Sequence, residues 1–254
     1  MKSFMKRMAD NAAGEVSETV RFIAGVAGVW FFIVTLIFAP FHIPSESMQP
    51  SLEVGDRVLV SKWAYGYSRH SLPLGLGYYL PESWNARILG RAPQRGDVVV
   101  FRNPESRRNL IKRVIGLPGD IITYRDGRLY INGELVHREP VETRLYRAHR
   151  GPTVEVEAYE EMLPGGHDHL IYEQTDMGRA DNRGPYRVPD GHAFVMGDNR
   201  DSSTDSRYPP GEGGPGYVRL SEIVGRAETV MFTFNRCREE EGYFCPTGRV
   251  WRGL

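Results

Sequence analysis

The stretch Phe22–Ala39 carries no charged side chain, and beyond it the chain breaks into short apolar runs separated by turn residues. At about 1.5 Å per helical residue the stretch would reach roughly 27 Å, close to the thickness of a bilayer's hydrocarbon core. Trp30, Phe31, Phe32 and the aliphatics around them leave no polar face to turn toward water. The expectation is an uncleaved membrane anchor. A cleavable leader would end in an A-x-A-like site, whereas here Pro40 directly follows Ala39.

After the anchor the pattern changes from helical to strand-like. Phe41–Met48 reads as extended, because Pro44 and Pro50 disfavour helix for the residues before them. Arg57–Ser61 and Asp97–Phe101 read as strands entered from Gly-Asp pairs. Asn109–Ile115 reads as another, stopped by Gly116-Leu117-Pro118-Gly119. Ile121–Tyr124 and Leu129–Ile131 flank a hairpin turn, Arg125–Arg128, that contains Gly127. Ala193–Met196 runs into a Gly-Asp-Asn turn, and Ile223–Phe234 reads as one long bent strand. Tyr124–Val188 is more polar and irregular.

Composition agrees with this picture. The 28 Gly and 17 Pro, set among short β-rich runs, point to a turn-rich β protein. Lys plus Arg and Asp plus Glu balance at 32 each, which leaves no footprint for nucleic acid. Lys2, Lys6, Arg7 and Arg21 precede the anchor, and no Lys or Arg follows it until Arg57. The positive-inside tendency then puts residues 1–21 in the cytoplasm and 40–254 outside it. Cys237 and Cys245 bracket a turn-like Arg-Glu-Glu-Glu-Gly segment. Outside the cytoplasm they could pair, closing a small loop worth about 2–3 kcal/mol in the chain-entropy model. Two free thiols are the other reading. Trp63–Trp84, rich in aromatics and leucine, is either a loop packed on the core or one that dips into the membrane interface.

Two residues carry candidate chemistry. Ser47 lies in Pro44-Ser45-Glu46-Ser47-Met48-Gln49-Pro50, just past the anchor. Lys112 lies in Leu110-Ile111-Lys112-Arg113-Val114-Ile115. A serine hydroxyl attacks a peptide at neutral pH only if a base takes its proton, and a lysine amine can be that base once burial lowers its pKa. In an extended Ile43–Ser47, the side chains of Ile43, Ser45 and Ser47 share one face and Glu46 points the other way. The Ser47 N–H and the Ser45 hydroxyl could then donate to a developing oxyanion. The same alternation groups Lys112 with Leu110 and Val114 and turns Arg113 away. Gly197-Asp198-Asn199-Arg200-Asp201-Ser202-Ser203-Thr204-Asp205-Ser206-Arg207 is a dense polar turn. Arg200 and Arg207 argue against a cation there and for a salt-bridged bracket, so no metal is expected. No Ser-His-Asp triad is evident, and His167-Asp168-His169 reads as a solvated loop.

The anchor, Pro44–Leu52, Gly55–Lys62, the pair Arg95–Phe101 and Ile111–Asp120, and Gly197–Arg207, in that order, resemble bacterial type I signal peptidases. The match is collinear over most of Phe41–Gly225. It is poor over Tyr124–Val188 and after Arg226. The resemblance implies a mainly β fold: a transmembrane helix, then an antiparallel two-sheet catalytic domain with a small inserted β-rich subdomain at about 124–188. It implies Ser47 as nucleophile, Lys112 as general base, and Ser45 with Ser47 at the oxyanion. It aligns Ser203 with a serine that hydrogen-bonds the lysine, and Asp205, Arg207, Gly197 and Asp198 with supporting positions.

The substrates implied are exported preproteins, cut after small residues at −1 and −3 with no cofactor. They would lie as strands beside Ile43, Pro44 and Met48 and beside Leu110 and Ile111. The location implied is the bacterial plasma membrane, with lipid as a neighbour and the translocation machinery as a candidate partner. Two features depart from the family's usual pattern: Glu46 stands where many members have Gly, and one span is visible where many have two. A processing peptidase of narrower range and an inactive membrane-anchored β scaffold are the alternative readings.

Overall fold

The computed structural model describes residues 2–72, 76–77, 79–81, 84, 86–147, 152–234 and 246–254, with side chains from Glu15 onward except that of Arg147. The N-terminal helix runs over Lys2–Phe32 and ends in a π-helical turn, Ile33–Ile37. Within it, Glu15–Ile37 is long and apolar enough to cross a membrane, and none of it is buried against protein. The apolar helix therefore stops short of the expected Ala39. Phe38 and Ala39 open the first strand, paired with Ser61 and Val60. Pro40 accounts for the switch, since it cannot continue a helix and biases the residue before it toward extended backbone.

One eight-stranded antiparallel sheet forms the frame. Its order is Phe38–His42, Asp56–Ser61, Ile223–Thr233, Val98–Arg102, Asn109–Gly116, His192–Met196 and Val218–Arg219, with the short Arg252–Gly253 also paired to Ile223–Thr233. The central run Val98–Phe101 is apolar throughout because both faces of the sheet are covered. Val98 and Val100 pack with Ile43, Met48 and Leu52, whereas Val99 and Phe101 pack with Tyr65, Val114 and Val195. The segment that follows the first strand therefore crosses one face of the sheet and fills it with Met48 and Leu52.

The described residues of 121–187 form two further antiparallel sheets. Ile121–Arg125, Arg128–Ile131, Glu134–Leu135 and Arg183–Arg187 make one, and His137–Arg147, Thr153–Met162 and Asp168–Glu173 make the other. The Arg125–Arg128 hairpin turns through Asp126 and Gly127, both at positive φ (48° and 65°). That is the backbone of a tight two-residue turn, and it explains the glycine. The mainly β architecture, with an apolar N-terminal helix and a β-rich insert, matches the expectation. Cys237 and Cys245 lie outside the described residues, as do 73–75, 78 and 82–83 of the aromatic loop.

Tyr65 of that loop is buried in the core and donates to Asp97 at 2.7 Å, whereas Tyr67, with Lys62 just before the loop, docks on the helix end. The Lys62 N–H donates to Ile37 O at 2.9 Å, Lys62 Nζ to Thr35 O at 2.9 Å and Tyr67 Oη to Leu36 O at 2.8 Å. These donors satisfy carbonyls that the end of a helix leaves without partners. Trp63, Tyr79, Ile88 and Leu89 nearby in sequence stay largely exposed.

Candidate active site

Ile43 is clipped to the second strand by Ile43 N–H to Asp56 O (3.0 Å) and Gly55 N–H to Ile43 O (2.9 Å). The chain then turns. Gln49 N–H bonds Glu46 O at 3.0 Å, and Leu52 N–H bonds Met48 O at 2.8 Å. The expected extended run through Met48 is therefore corrected: the segment bends at Ser45–Glu46 and turns over Ser47–Pro50. Burial of Met48 and Leu52 on the sheet drives the turn, since a straight strand would carry both past the core. The turn, not alternation, separates the side chains. Ser47 is 8% exposed and Met48 is fully buried, while Pro44 and Ser45 face solvent and Glu46 is half-buried.

Lys112, only 5% exposed, sits mid-strand beside Val99, and its Nζ donates to Ser47 Oγ. Burial pushes the ammonium down to about 8; Asp205 and Asp198 oppose that fall, and Arg207 reinforces it. An amine at that value is close to half neutral one unit above neutral pH, which suits a base. Leu110 and Ile111, expected to line a substrate strand, are half-buried, and Ile111 packs against the Ile43–Met48 cluster. Among the described residues, neither the Ser47 N–H nor the Ser45 hydroxyl forms a hydrogen bond.

The polar turn holds this pair from behind. Asn199 N–H donates to Ser47 O at 3.2 Å. A β-carbon at Gly197 would collide with Ser47 O and the Ser203 side chain, so the close approach requires glycine. Gly197 N–H donates to Asp205 Oδ2 at 3.0 Å, and Arg207 grips the same carboxylate through Nε (2.9 Å) and Nη2 (3.0 Å). Arg207 holds the Asp205 carboxyl below its ordinary value against the effect of burial. Ser203 is buried beside Gly197 with its hydroxyl unpartnered among the described residues, so no hydrogen bond joins it to Lys112.

Arg113 does turn away from Lys112, but not to solvent. It is buried and forks onto Asp198 at 2.8 and 2.7 Å, with further bonds to Gly96 O (2.8 Å) and Ser51 Oγ (3.0 Å). The third carboxylate of the turn, Asp201, accepts the N–H of Gln174 and of Thr175 and lies within 4.8 Å of Glu173 and Asp181. Arg138 bridges to Glu173 at 2.8 Å.

The inserted sheets supply partners that the sequence did not reveal. Tyr172 N–H donates to Asp198 O and Arg200 N–H to Tyr172 O, both at 2.9 Å. Glu161 forks onto the fully buried Arg200 at 2.9 and 2.5 Å. His169 is not in a solvated loop. It is buried in the Asp168–Glu173 strand, with Nε2 3.5 Å from Glu161 and 3.9 Å from Asp198. Burial, with help from Arg113, pushes its pKa to about 4, so it is neutral at ordinary pH.

Residues 16–232 match the family model described as "Signal peptidase, peptidase S26". Signal peptidase I of Pseudomonas aeruginosa is 42% identical over 215 residues, covering 81% of this chain and 70% of that protein. Its counterpart in Pseudomonas fluorescens is 41% identical with the same coverage, and that of Rickettsia typhi is 35% identical over 205 residues, covering 78% and 73%. A crystal structure of a signal peptidase I from Enterococcus faecalis V583 aligns with TM-score 0.32 and 29% identity, over 54% of this chain and 97% of that one.

Proposed function

The chain belongs to the signal peptidase family, peptidase S26, and on that premise we propose that it is a membrane-anchored serine endopeptidase removing signal peptides from exported preproteins, with Ser47 as nucleophile and Lys112 as base. The observation that carries the assignment is the buried contact between Lys112 Nζ and Ser47 Oγ. Neutral Lys112 takes the hydroxyl proton as Oγ bonds to the scissile carbonyl carbon. The Ser47 N–H and the Ser45 hydroxyl donate to the oxyanion. Lys112 then passes its proton to the leaving amine as the C–N bond breaks, which leaves an acyl-enzyme. A water, deprotonated by Lys112, attacks the ester; as the bond from the acyl carbon to Oγ breaks, Lys112 returns the proton to Oγ and Ser47 is restored.

The preprotein lies as an added strand beside the Ile43–Pro44 edge and the Leu110–Ile111 strand, with small residues at −1 and −3 facing the apolar floor. The N-terminus is cytoplasmic and the β domain lies across the membrane from it, as the distribution of Lys and Arg favours. Exposed Trp63, Ile88 and Leu89 beside a segment hydrogen-bonded to the helix end favour contact with the lipid interface.

Cleavage of a signal-bearing preprotein by the purified enzyme in detergent tests the reading, beside Ser47→Ala and Lys112→Ala. The expected result is one cut after a small-x-small site, lost in both folded variants. Cutting that survives in either variant removes that residue from its role.

A further inference from the structure

The C-terminal residues 246–254 fall outside the segment that matches the family model, and they return to the sheet behind the proposed nucleophile. Trp251 N–H bonds Met231 O (3.4 Å), Arg252–Gly253 pair with Val230 and Thr229, and Leu254 N–H bonds Glu228 O (3.1 Å). This return carries Arg249 into the protein, where it is 3% exposed. Its guanidinium bridges two points of the segment that follows Ser47. One is Asp56, a fully buried carboxylate held through Nε at 3.1 Å and through Nη2. The other is the carbonyl of Ser51, at 3.1 Å from Nη2.

Both contacts lie at fixed points of the loop. Asp56 already ties the loop's exit, since Oδ2 accepts Glu53 N–H at 2.8 Å and the Asp56 carbonyl accepts Ile43 N–H. Ser51 is gripped from both sides: Arg113 of the lysine strand holds its hydroxyl and Arg249 its carbonyl. One tight turn, closed by Leu52 N–H to Met48 O, separates Ser51 from Ser47. A shift at Ser51 is therefore passed to the serine instead of being absorbed. A flexible lysine could neutralise Asp56, but it lacks the planar fork that meets a carboxylate and a carbonyl together.

We infer that Arg249 is a positioning residue for Ser47, with the C-terminal return acting as a strut that sets the distance from Ser47 Oγ to Lys112. The inference rests on Ser47 being the nucleophile. It predicts a loss in kcat rather than in KM, because Arg249 holds the Asp56 carboxylate, whereas the substrate edge at Ile43 is held by the Asp56 backbone carbonyl, a bond that does not need the guanidinium. A misplacement of about 1 Å can cost on the order of a hundredfold in rate.

The test is steady-state cleavage by the full-length enzyme in detergent, comparing wild type, Arg249→Ala, Arg249→Lys and Ser47→Ala, each with a thermal melt and a pH profile. The expected result for Arg249→Ala is a fall in kcat between about tenfold and a hundredfold. KM and the acid limb of the profile should be unchanged, and millimolar guanidinium should restore part of the rate. Arg249→Lys should fold and remain severalfold slow. A lower melting temperature with wild-type kcat in either variant overturns the inference and leaves Arg249 a structural residue. If Arg249→Ala does not fold, Arg249→Lys alone is read in the same way, and failure of both to fold also overturns it. Activity in Ser47→Ala would instead overturn the nucleophile assignment, which keeps the two failures distinct.

Discussion

Replacing Lys112 by Met should stabilise the protein near neutral pH and lose that advantage in alkali. Lys112 titrates at about 8 in the fold, against an ordinary 10.5. Below pH 8 the folded and unfolded chains both hold the proton, and the fold bears the full cost of a buried ammonium. That cost is about 3 kcal/mol at roughly 1.4 kcal/mol per pH unit. Between pH 8 and 10.5 the unfolded chain keeps the proton that the fold has released, so wild-type stability rises with pH. Above 10.5 the penalty is gone. Methionine fills a similar volume without the charge, and it forfeits the bond to Ser47, worth about 1 kcal/mol. The expected ΔΔG is therefore about 2 kcal/mol in favour of the variant at pH 7, and about 1 kcal/mol against it near pH 11. Urea unfolding of both proteins in detergent at the two pH values measures it. A difference that does not change with pH would refute the argument, because it would mean that Lys112 is not the group whose charge the fold resists.

Further predictions follow from neighbouring contacts. The kcat/KM for a preprotein should rise with pH through an apparent value near 8, and a profile flat from pH 6 to 9 (a window of about one to two units around that value) would remove Lys112 as the base. Glu161→Gln leaves Arg200 charged and buried with half its partner gone, and should cost about 3–5 kcal/mol by thermal or urea unfolding, with activity falling as the turn at Gly197–Asn199 loosens. His169 resists protonation down to about pH 4, against an ordinary 6.5, so it erodes stability as pH falls through that window. His169→Gln should recover up to about 3 kcal/mol at pH 4 and nothing at pH 7.5, as read by melts at the two pH values. In a flotation assay with an anchor-free chain, serine at Trp63, Ile88 and Leu89 should weaken binding to vesicles, and undiminished binding would exclude these side chains from the lipid interface.

The contact between Ser47 and Lys112 was legible because each residue lies in a long, ordered set of blocks. Their separation of 65 positions in sequence is bridged by strands whose apolar pattern was also legible. The manner of approach was not. Alternation was the argument for Ser45 and Ser47, yet the backbone there turns, since Met48 and Leu52 must both reach the sheet. Local pattern does not encode a turn whose cause is a surface supplied by Val98 and Val100, about fifty residues later. Glu161 and His169 were opaque for a related reason. In Thr153–Met162 the inward positions Val154, Val156 and Ala158 announce a half-buried strand, but Glu161 is buried one step out of phase to meet Arg200. A buried charge is intelligible only once its partner is placed. Arg249 had no pattern around it at all.

The bonds that join Lys62 and Tyr67 to the last turn of the apolar helix bear on how a cut site is chosen. Between that turn and the turn that carries Ser47 lie the five-residue strand Phe38–His42, paired along its whole length with Asp56–Ser61, and residues 43–46, clipped to the same partner through Ile43. A strand of that length spans about 17 Å and does not stretch. If Ser47 is the nucleophile, anchor and serine would be the two ends of a rigid gauge, and the cut would be measured from the bilayer. A preprotein whose own apolar segment ends at the wrong height would present the wrong bond, whatever its sequence. Lengthening Phe38–His42 and its partner together by two residues would keep the pairing and shift the gauge by about 7 Å. Depth in the membrane, and not side-chain fit alone, would then decide which peptide bond the serine meets.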